Sequence, residues 1–246
     1  MQAIVIIFGL MVGSFCNVLI YRLPRKKSIV FPSSHCINCK TRIKIIHLIP
    51  LIGFLVCKGK CHNCNSKISL RYPLIETLTA ALFLLTYNLL GLNIEALFFL
   101  NLAVVSLVIA FIDLKHLIIP DELNIWLTLT GTVYVIYTAS YLNIFAAIAF
   151  FTFFYAVAII SKGGMGGGDI KYVFPLGLHL GIINGALMLL ISFVIGGIVG
   201  ITLLSLGRGR KTAVPFGPFL ATATFITIFW GDSLIDIYLR LVINGG

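Results

Sequence analysis

Charge is scarce in this chain. Of its 246 residues 11% are charged, and only eight are acids. A water-soluble globular domain carries roughly a quarter charged residues, so ordinary solubility is excluded for most of the sequence. Hydrophobic residues make up 59% and mean hydropathy is +1.07, a composition for which lipid is the natural solvent. A basic segment at the very start is also missing. Residues 1–21 hold no Lys or Arg, and the charges follow at Arg22, Arg25, Lys26 and Lys27. That order predicts a retained first span, not a cleaved signal peptide. The net charge of +10 does not point to nucleic acid, because the placement of the basic residues between apolar runs explains it.

Long apolar runs are what the chain has instead, and a membrane-crossing helix needs about 20 such residues. Runs cover residues 3–21, 73–90, 96–114, 123–139, 144–160, 172–180, 182–206 and 216–242. The predicted fold is therefore all-α, a polytopic transmembrane helical bundle of about eight spans. The sixth and seventh are joined tightly around Gly181. The domain plan is a first span (1–21), a basic insert (22–72) and a membrane bundle (73–246). No internal repeat is evident. Lys and Arg crowd residues 22–71 and recur at Lys115, Lys162, Lys171, Arg208, Arg210 and Lys211, while the alternate connections near 91–93, 140–143 and 181–184 have none. Only Arg240 lies near the other face. Positive charge marks the cytoplasmic side, so the insert is expected in the cytoplasm and both termini outside.

Four of the six cysteines form two knuckles, Cys36-Ile-Asn-Cys39 and Cys61-His-Asn-Cys64, with 21 residues between them. Two CxxC pairs present four thiolates in a tetrahedron, which suits Zn²⁺. A reducing cytoplasm argues against structural disulfides there. An insert this small has little core of its own, so a metal staple makes physical sense. The bland reading is four unliganded surface thiols. His35 and His62 flank the knuckles and read as loop histidines, although either can stand in as a ligand. Cys57 looks unpaired, and Cys16 reads as a small packing residue of the first span.

The acids are Glu76, Glu95, Asp113, Asp121, Glu122, Asp169, Asp232 and Asp236. An acid within or at the edge of a span is costly and is a functional candidate by default. Asp113 ends the third run, and Asp169 follows the glycines Gly163, Gly164, Gly166, Gly167 and Gly168. The expected topology brings both to one side at similar depth. Two carboxyls held close share a proton, and that pair can activate water and polarise a peptide carbonyl. Taken singly, Asp113 also reads as a helix-end carboxylate and Asp169 as a helix N-cap. Asp121 and Glu122 follow Pro120 and read as first-turn acids on a helix dipole, with Asp121 the second choice for catalysis. Glu76 reads as a buried partner for a basic side chain or as an interfacial acid. Asp232 and Asp236 look solvated.

At these residues the chain resembles the bacterial type IV prepilin peptidases, the GxGD class of membrane aspartic peptidases. The resemblance rests on an ordered set spread along the chain: Gly13-Ser14-Phe15-Cys16-Asn17-Val18, Tyr21-Arg22-Leu23-Pro24, both knuckles, and Arg71-Tyr72-Pro73 with Glu76. It continues through Asp113, Ile119-Pro120-Asp121, Gly166-Gly167-Gly168-Asp169-Ile170-Lys171 and Pro215-Phe216-Gly217-Pro218-Phe219. It implies an enzyme of the bacterial inner membrane. Such an enzyme removes the basic leader of prepilins and pseudopilins after a glycine, at the cytoplasmic face. It implies Asp113 and Asp169 as the catalytic pair, and methylation of the new N-terminus from S-adenosylmethionine. The basic insert is expected to face anionic lipid headgroups or acidic parts of a cofactor. A transporter relaying ions through Asp113 and Asp169 is the alternative, but it calls for repeat symmetry and polar residues deep in several spans. A membrane scaffold with a zinc module leaves the paired acids unexplained.

Overall fold

The computed structural model describes residues 1–162, 164–207 and 214–244. Gly163 of the glycine-rich run and Arg208, Arg210 and Lys211 of the basic loop lie outside the described residues. Nine α-helices, and no β-strand, occur among those described. They fall into two compact units, Met1–Leu92 and Asn93–Gly246.

In the first unit, α1 (Gln2–Arg22) passes into a 3-10 turn at Leu23–Arg25. The insert follows, with two short helices, α2 (Ile45–Leu48) and α3 (Ile52–Val56), before α4 (Arg71–Leu89). Helices α1 and α4 pack together. Gly9 lies against Ala80 and Gly13 against Glu76 and Thr79, the small-residue spacing that lets helices approach closely in a membrane. Arg22 is buried and anchors the start of the insert, donating to the carbonyls of Ser28 (2.9 Å) and Pro32 (2.5 Å).

The second unit consists of α5 (Ile94–His116), α6 (Asp121–Thr138), α7 (Leu142–Ile160), α8 (Gly167–Ser205) and α9 (Gly217–Asn244). The Asn93 side chain caps α5 by accepting from the Ala96 N–H at 2.7 Å. Asp121 and Glu122 sit in the first turn of α6, as expected. Helix α8 touches each of the other four helices of the unit. Val135, Ala147 and Leu178 form a small core where α6, α7 and α8 meet.

Outward faces are apolar. Ile4, Ile7, Phe8 and Met11 of α1 are exposed, as are Phe145, Ile148 and Ile159 of α7. Water does not tolerate contiguous apolar surface on this scale, whereas acyl chains do. Five helices are long and apolar enough to cross a membrane: Gln2–Arg25, Ile94–His116, Leu142–Ile160, Gly167–Ser205 and Gly217–Leu241. These five do not by themselves confirm the expected count of about eight. Helices α4 and α6 are long enough, but Arg71 and Glu76 in one, and Asp121 and Glu122 in the other, lower their hydropathy. The expected sixth and seventh runs both fall in α8, as two helical arms joined across a kink. Residues 167–180 would span about 21 Å at 1.5 Å per residue, short of a hydrocarbon core of about 30 Å.

The break expected at Gly181 is nevertheless present inside α8. Gly181 has φ 68° and ψ −166°, a region confined in practice to glycine. The distortion takes the Leu178 carbonyl from its helical partner, and the Asn143 side chain of α7 donates to it instead at 3.0 Å. Gly181→Ala is expected to destabilise the protein by about 1–3 kcal/mol through backbone strain alone. Asn143→Ala is expected to cost a similar amount, about 1–3 kcal/mol, by orphaning a buried carbonyl. Thermal unfolding in detergent reads both, and unchanged midpoints would rule out this local account of the kink.

Candidate active site and metal centre

The insert brings all four knuckle cysteines together. Their sulfurs lie within 4.8 Å of one another, with Cys36–Cys64 at 3.8 Å and Cys39–Cys61 at 3.9 Å. Zn–S bonds of about 2.3 Å in a tetrahedron put sulfurs about 3.8 Å apart, so the donor set and its spacing fit structural zinc. His35 and His62 are not part of the cluster, and Cys57 and Cys16 stand apart as free thiols.

The knuckles are two copies of one structure. The Cys36 N–H donates to the Thr41 carbonyl and the Lys40 N–H to the Cys36 carbonyl; the Cys61 N–H donates to Ser66 and the Asn65 N–H to Cys61 in the same pattern. Lys40 and Asn65 both turn with positive φ, 56° and 55°. Bridges His35–Arg42 and Lys60–Lys67 close the two loops. The sequence carries the copy, residues 36–43 (CINCKTRI) against 61–68 (CHNCNSKI). The expectation of no internal repeat is thus corrected at this short scale.

The knuckles also support each other's sulfurs. Asn63 Nδ2 donates to Cys39 Sγ at 3.8 Å, and Asn38 Nδ2 to Cys64 Sγ at 3.9 Å. Hydrogen bonding from Thr41 brings the Cys39 thiol down to about 6, and Ser66 likewise lowers Cys64. A thiolate is the form that binds metal.

In the second unit, α5 carries Asp113 near its C-terminal end and α8 carries Asp169 in its first turn. Both are buried, 5% and 8% exposed, in a chain whose Glu95, Asp121, Glu122, Asp232 and Asp236 are all exposed. Asp113 Oδ2 accepts from the Gly217 N–H at 2.9 Å. A Cβ at position 217 would stand 2.8 Å from that same oxygen, so only glycine lets the backbone reach it. Asp169 lies three residues after the N-cap, Gly166, whose N–H hydrogen-bonds its carboxyl. This is the reciprocal half of a capping box, and it differs from the N-cap role the sequence suggested. The Asp169 Oδ1 atom is buried without a partner, and the charge of Asp113 acts on this residue.

Helix geometry explains the convergence. Ser106 and Asp113 are seven apart on α5, and Asp169 and Tyr172 three apart on α8, so each pair lies on one helix face. The buried Tyr172 hydroxyl donates to Ser106 Oγ at 2.6 Å and ties the two helices beneath the acids. Asp121 is built differently. It is exposed and pairs with Lys171 at 2.8 Å, the one ion pair among the described residues. Sequence reasoning missed the roles of Gly217, Ser106 and Tyr172. Gly217 stood within the Pro215–Phe219 motif, but nothing local tied it to Asp113, 104 residues away.

Two family descriptions match. The bacterial peptidase A24 N-terminal domain covers residues 7–90, and the type IV leader peptidase family covers residues 100–201. The gap between them holds the boundary of the two compact units. Curated relatives carry the name prepilin leader peptidase/N-methyltransferase. That of Legionella pneumophila is 37% identical over 97% of this chain and 94% of its own length. That of Bacillus subtilis is 33% identical over 99% and 100%, and that of Pseudomonas aeruginosa 32% over 96% and 92%. No solved structure matches. With both halves matched and identity above 30% over nearly the whole length, this multi-pass membrane protein belongs to the type IV leader peptidase family.

Proposed function

We propose that the chain is an aspartic endopeptidase of the bacterial inner membrane, cutting the leader of a prepilin or pseudopilin after glycine, with Asp113 and Asp169 as the catalytic pair. The observation that carries this is the joint burial of two carboxyls that form no ion pair among the described residues. One is held by the Gly217 N–H, and the other keeps a buried oxygen free. Such a pair shares a proton. The ionised member takes a proton from water as it attacks the scissile carbonyl, and the protonated member donates to the carbonyl oxygen. Burial away from bulk water strengthens both interactions. The basic segments at 22–71, Lys115, Lys162 and Lys171 support a cytoplasmic position for the site. The apolar helix behind a prepilin's leader would lie in the bilayer while its cut site meets the acids.

The names of the relatives and the segments of the first unit support a second activity, methylation of the new N-terminus. S-adenosylmethionine, when bound, supplies the methyl group for it. The four cysteines would hold one zinc that stabilises the insert, since a small domain of this kind draws much of its folding energy from the metal.

Asp113→Asn and Asp169→Asn are each expected to lower prepilin cleavage by about 10²–10⁴-fold or more, with the protein still inserted and monodisperse. Asp121→Asn is expected to stay within a few-fold of normal, roughly the effect of losing an exposed ion pair. Mass spectrometry of a prepilin incubated with each purified variant checks this. Near-normal processing by either of the first two would overturn the assignment.

Elemental analysis is expected to find about one zinc per chain, and none in a Cys36→Ser, Cys39→Ser double variant. That variant should lose methylation more severely than cleavage. A collapse of cleavage as complete as in the aspartate variants, with the protein still monodisperse, would make the insert part of the protease site.

A further inference from the structure

Cleavage leaves a cavity of the first unit without a role. It holds about 790 Å³, within the roughly 300–1,000 Å³ usual for sites that enclose a small organic ligand. Its α1 and α4 side is formed by Ser14, Asn17, Tyr72 and Glu76, and its insert side includes Arg42, Lys44 and Lys67.

Glu76 is the sole acid in residues 1–92, a stretch with eleven of the eighteen lysines and arginines. It is nevertheless 7% exposed and forms no ion pair among the described residues. Its Oε2 accepts from the Leu51 N–H at 2.8 Å, and Ser14 hydrogen-bonds the same carboxyl. The chain is folded specifically onto it: Leu51 turns with φ 60° to open α3. Asn17 is 2% exposed. Its Nδ2 donates to the carbonyls of Tyr72 (3.0 Å) and Gly13 (3.4 Å), and its Oδ1 is buried without a partner. A buried carboxyl and an orphaned buried acceptor are costly unless something fills them. Together they ask for a ligand with a positive, hydrogen-donating part. The lysines and arginine across the cavity ask for a negative part on the same molecule.

We infer that this cavity is the binding site of S-adenosylmethionine, with Glu76 and Asn17 receiving its cationic portion. The inference rests on the methylation reading above and adds a location and the residues to it. The donor's sulfonium and α-ammonium match the two acceptors, and its carboxylate matches the basic wall. Phe54, His47 and His62 also line the cavity and offer flat faces for a purine. Cys57, outside the metal cluster, lines it too.

The test is equilibrium binding of S-adenosylmethionine and of S-adenosylhomocysteine, its neutral thioether, to the full chain in detergent. Wild-type protein is expected to prefer the sulfonium. Glu76→Gln removes the charge and keeps an acceptor for Leu51. It is expected to weaken S-adenosylmethionine binding by about tenfold or more, the scale for losing one buried charge contact, and to erase most of the preference. Its zinc content and unfolding midpoint report whether it is folded. A second measurement needs no variant: bound S-adenosylmethionine should slow alkylation of Cys57 by about tenfold, the protection expected when the open fraction falls with occupancy. Unprotected Cys57 together with normal binding by folded Glu76→Gln would overturn the site while leaving the methylation reading intact. Failure of wild-type protein both to bind the donor and to methylate a cleaved prepilin would overturn both.

Discussion

A carboxyl group taken out of water loses its hydration, and several kcal/mol are at stake unless a partner replaces it. The second unit removes two carboxyls from water, and neither forms an ion pair among the described residues. Asp113 receives one backbone N–H from the start of α9, and Asp169 receives one from the start of its own helix. The structure around them follows from that constraint. Position 217 has no room for a side chain, the glycine run lets α8 begin beside its own acid, and the Tyr172–Ser106 bond holds α5 against α8. The exposed Asp121–Lys171 pair shows the contrast, since water and a counter-ion satisfy that carboxyl without any such construction.

The first unit answers a different shortage. Its insert has few buried apolar side chains, Gly53 being the one residue buried in its two short helices. Order comes instead from hydrogen-bonded knuckles, a four-sulfur cluster, the Arg22 anchor and the Glu76–Leu51 bond. Each ties the insert either to itself or to α1 and α4. One duplicated loop, used twice in antisymmetric support of the opposite sulfurs, is enough to build a tetrahedral donor set.

Much of this was legible in the chain. The cysteine spacing named the four-sulfur cluster, the apolar runs named the helices, and Gly181 named the kink. The scarcity of acids directed attention to Asp113 and Asp169, and the structure buries those two while leaving Asp121 in water. How many runs cross the membrane was less legible, because charged residues near the starts of α4 and α6 lower their hydropathy and the kink at Gly181 divides α8. The Gly217 contact and the Tyr172–Ser106 bond depend on packing between segments far apart in sequence. The knuckle repeat was present as CINCKTRI and CHNCNSKI, but it is short, and its conservative exchanges of Thr for Ser and Arg for Lys hide it until the hydrogen bonds are compared. Glu76 read as either a buried partner for a basic side chain or an interfacial acid, because nothing near it in sequence revealed the turn at Leu51 whose N–H it accepts.

The proposed chemistry requires that the two carboxyls act on water and never on the peptide themselves. Single-turnover hydrolysis of a prepilin in water enriched in heavy oxygen tests this most directly, with mass spectrometry of both the released leader and the intact chain. Direct attack predicts one heavy oxygen in the leader's new carboxylate and an unmodified chain at every time point. A leader-sized adduct on the chain, or heavy oxygen in Asp113 or Asp169, would contradict it by showing that a carboxylate attacked the scissile carbonyl.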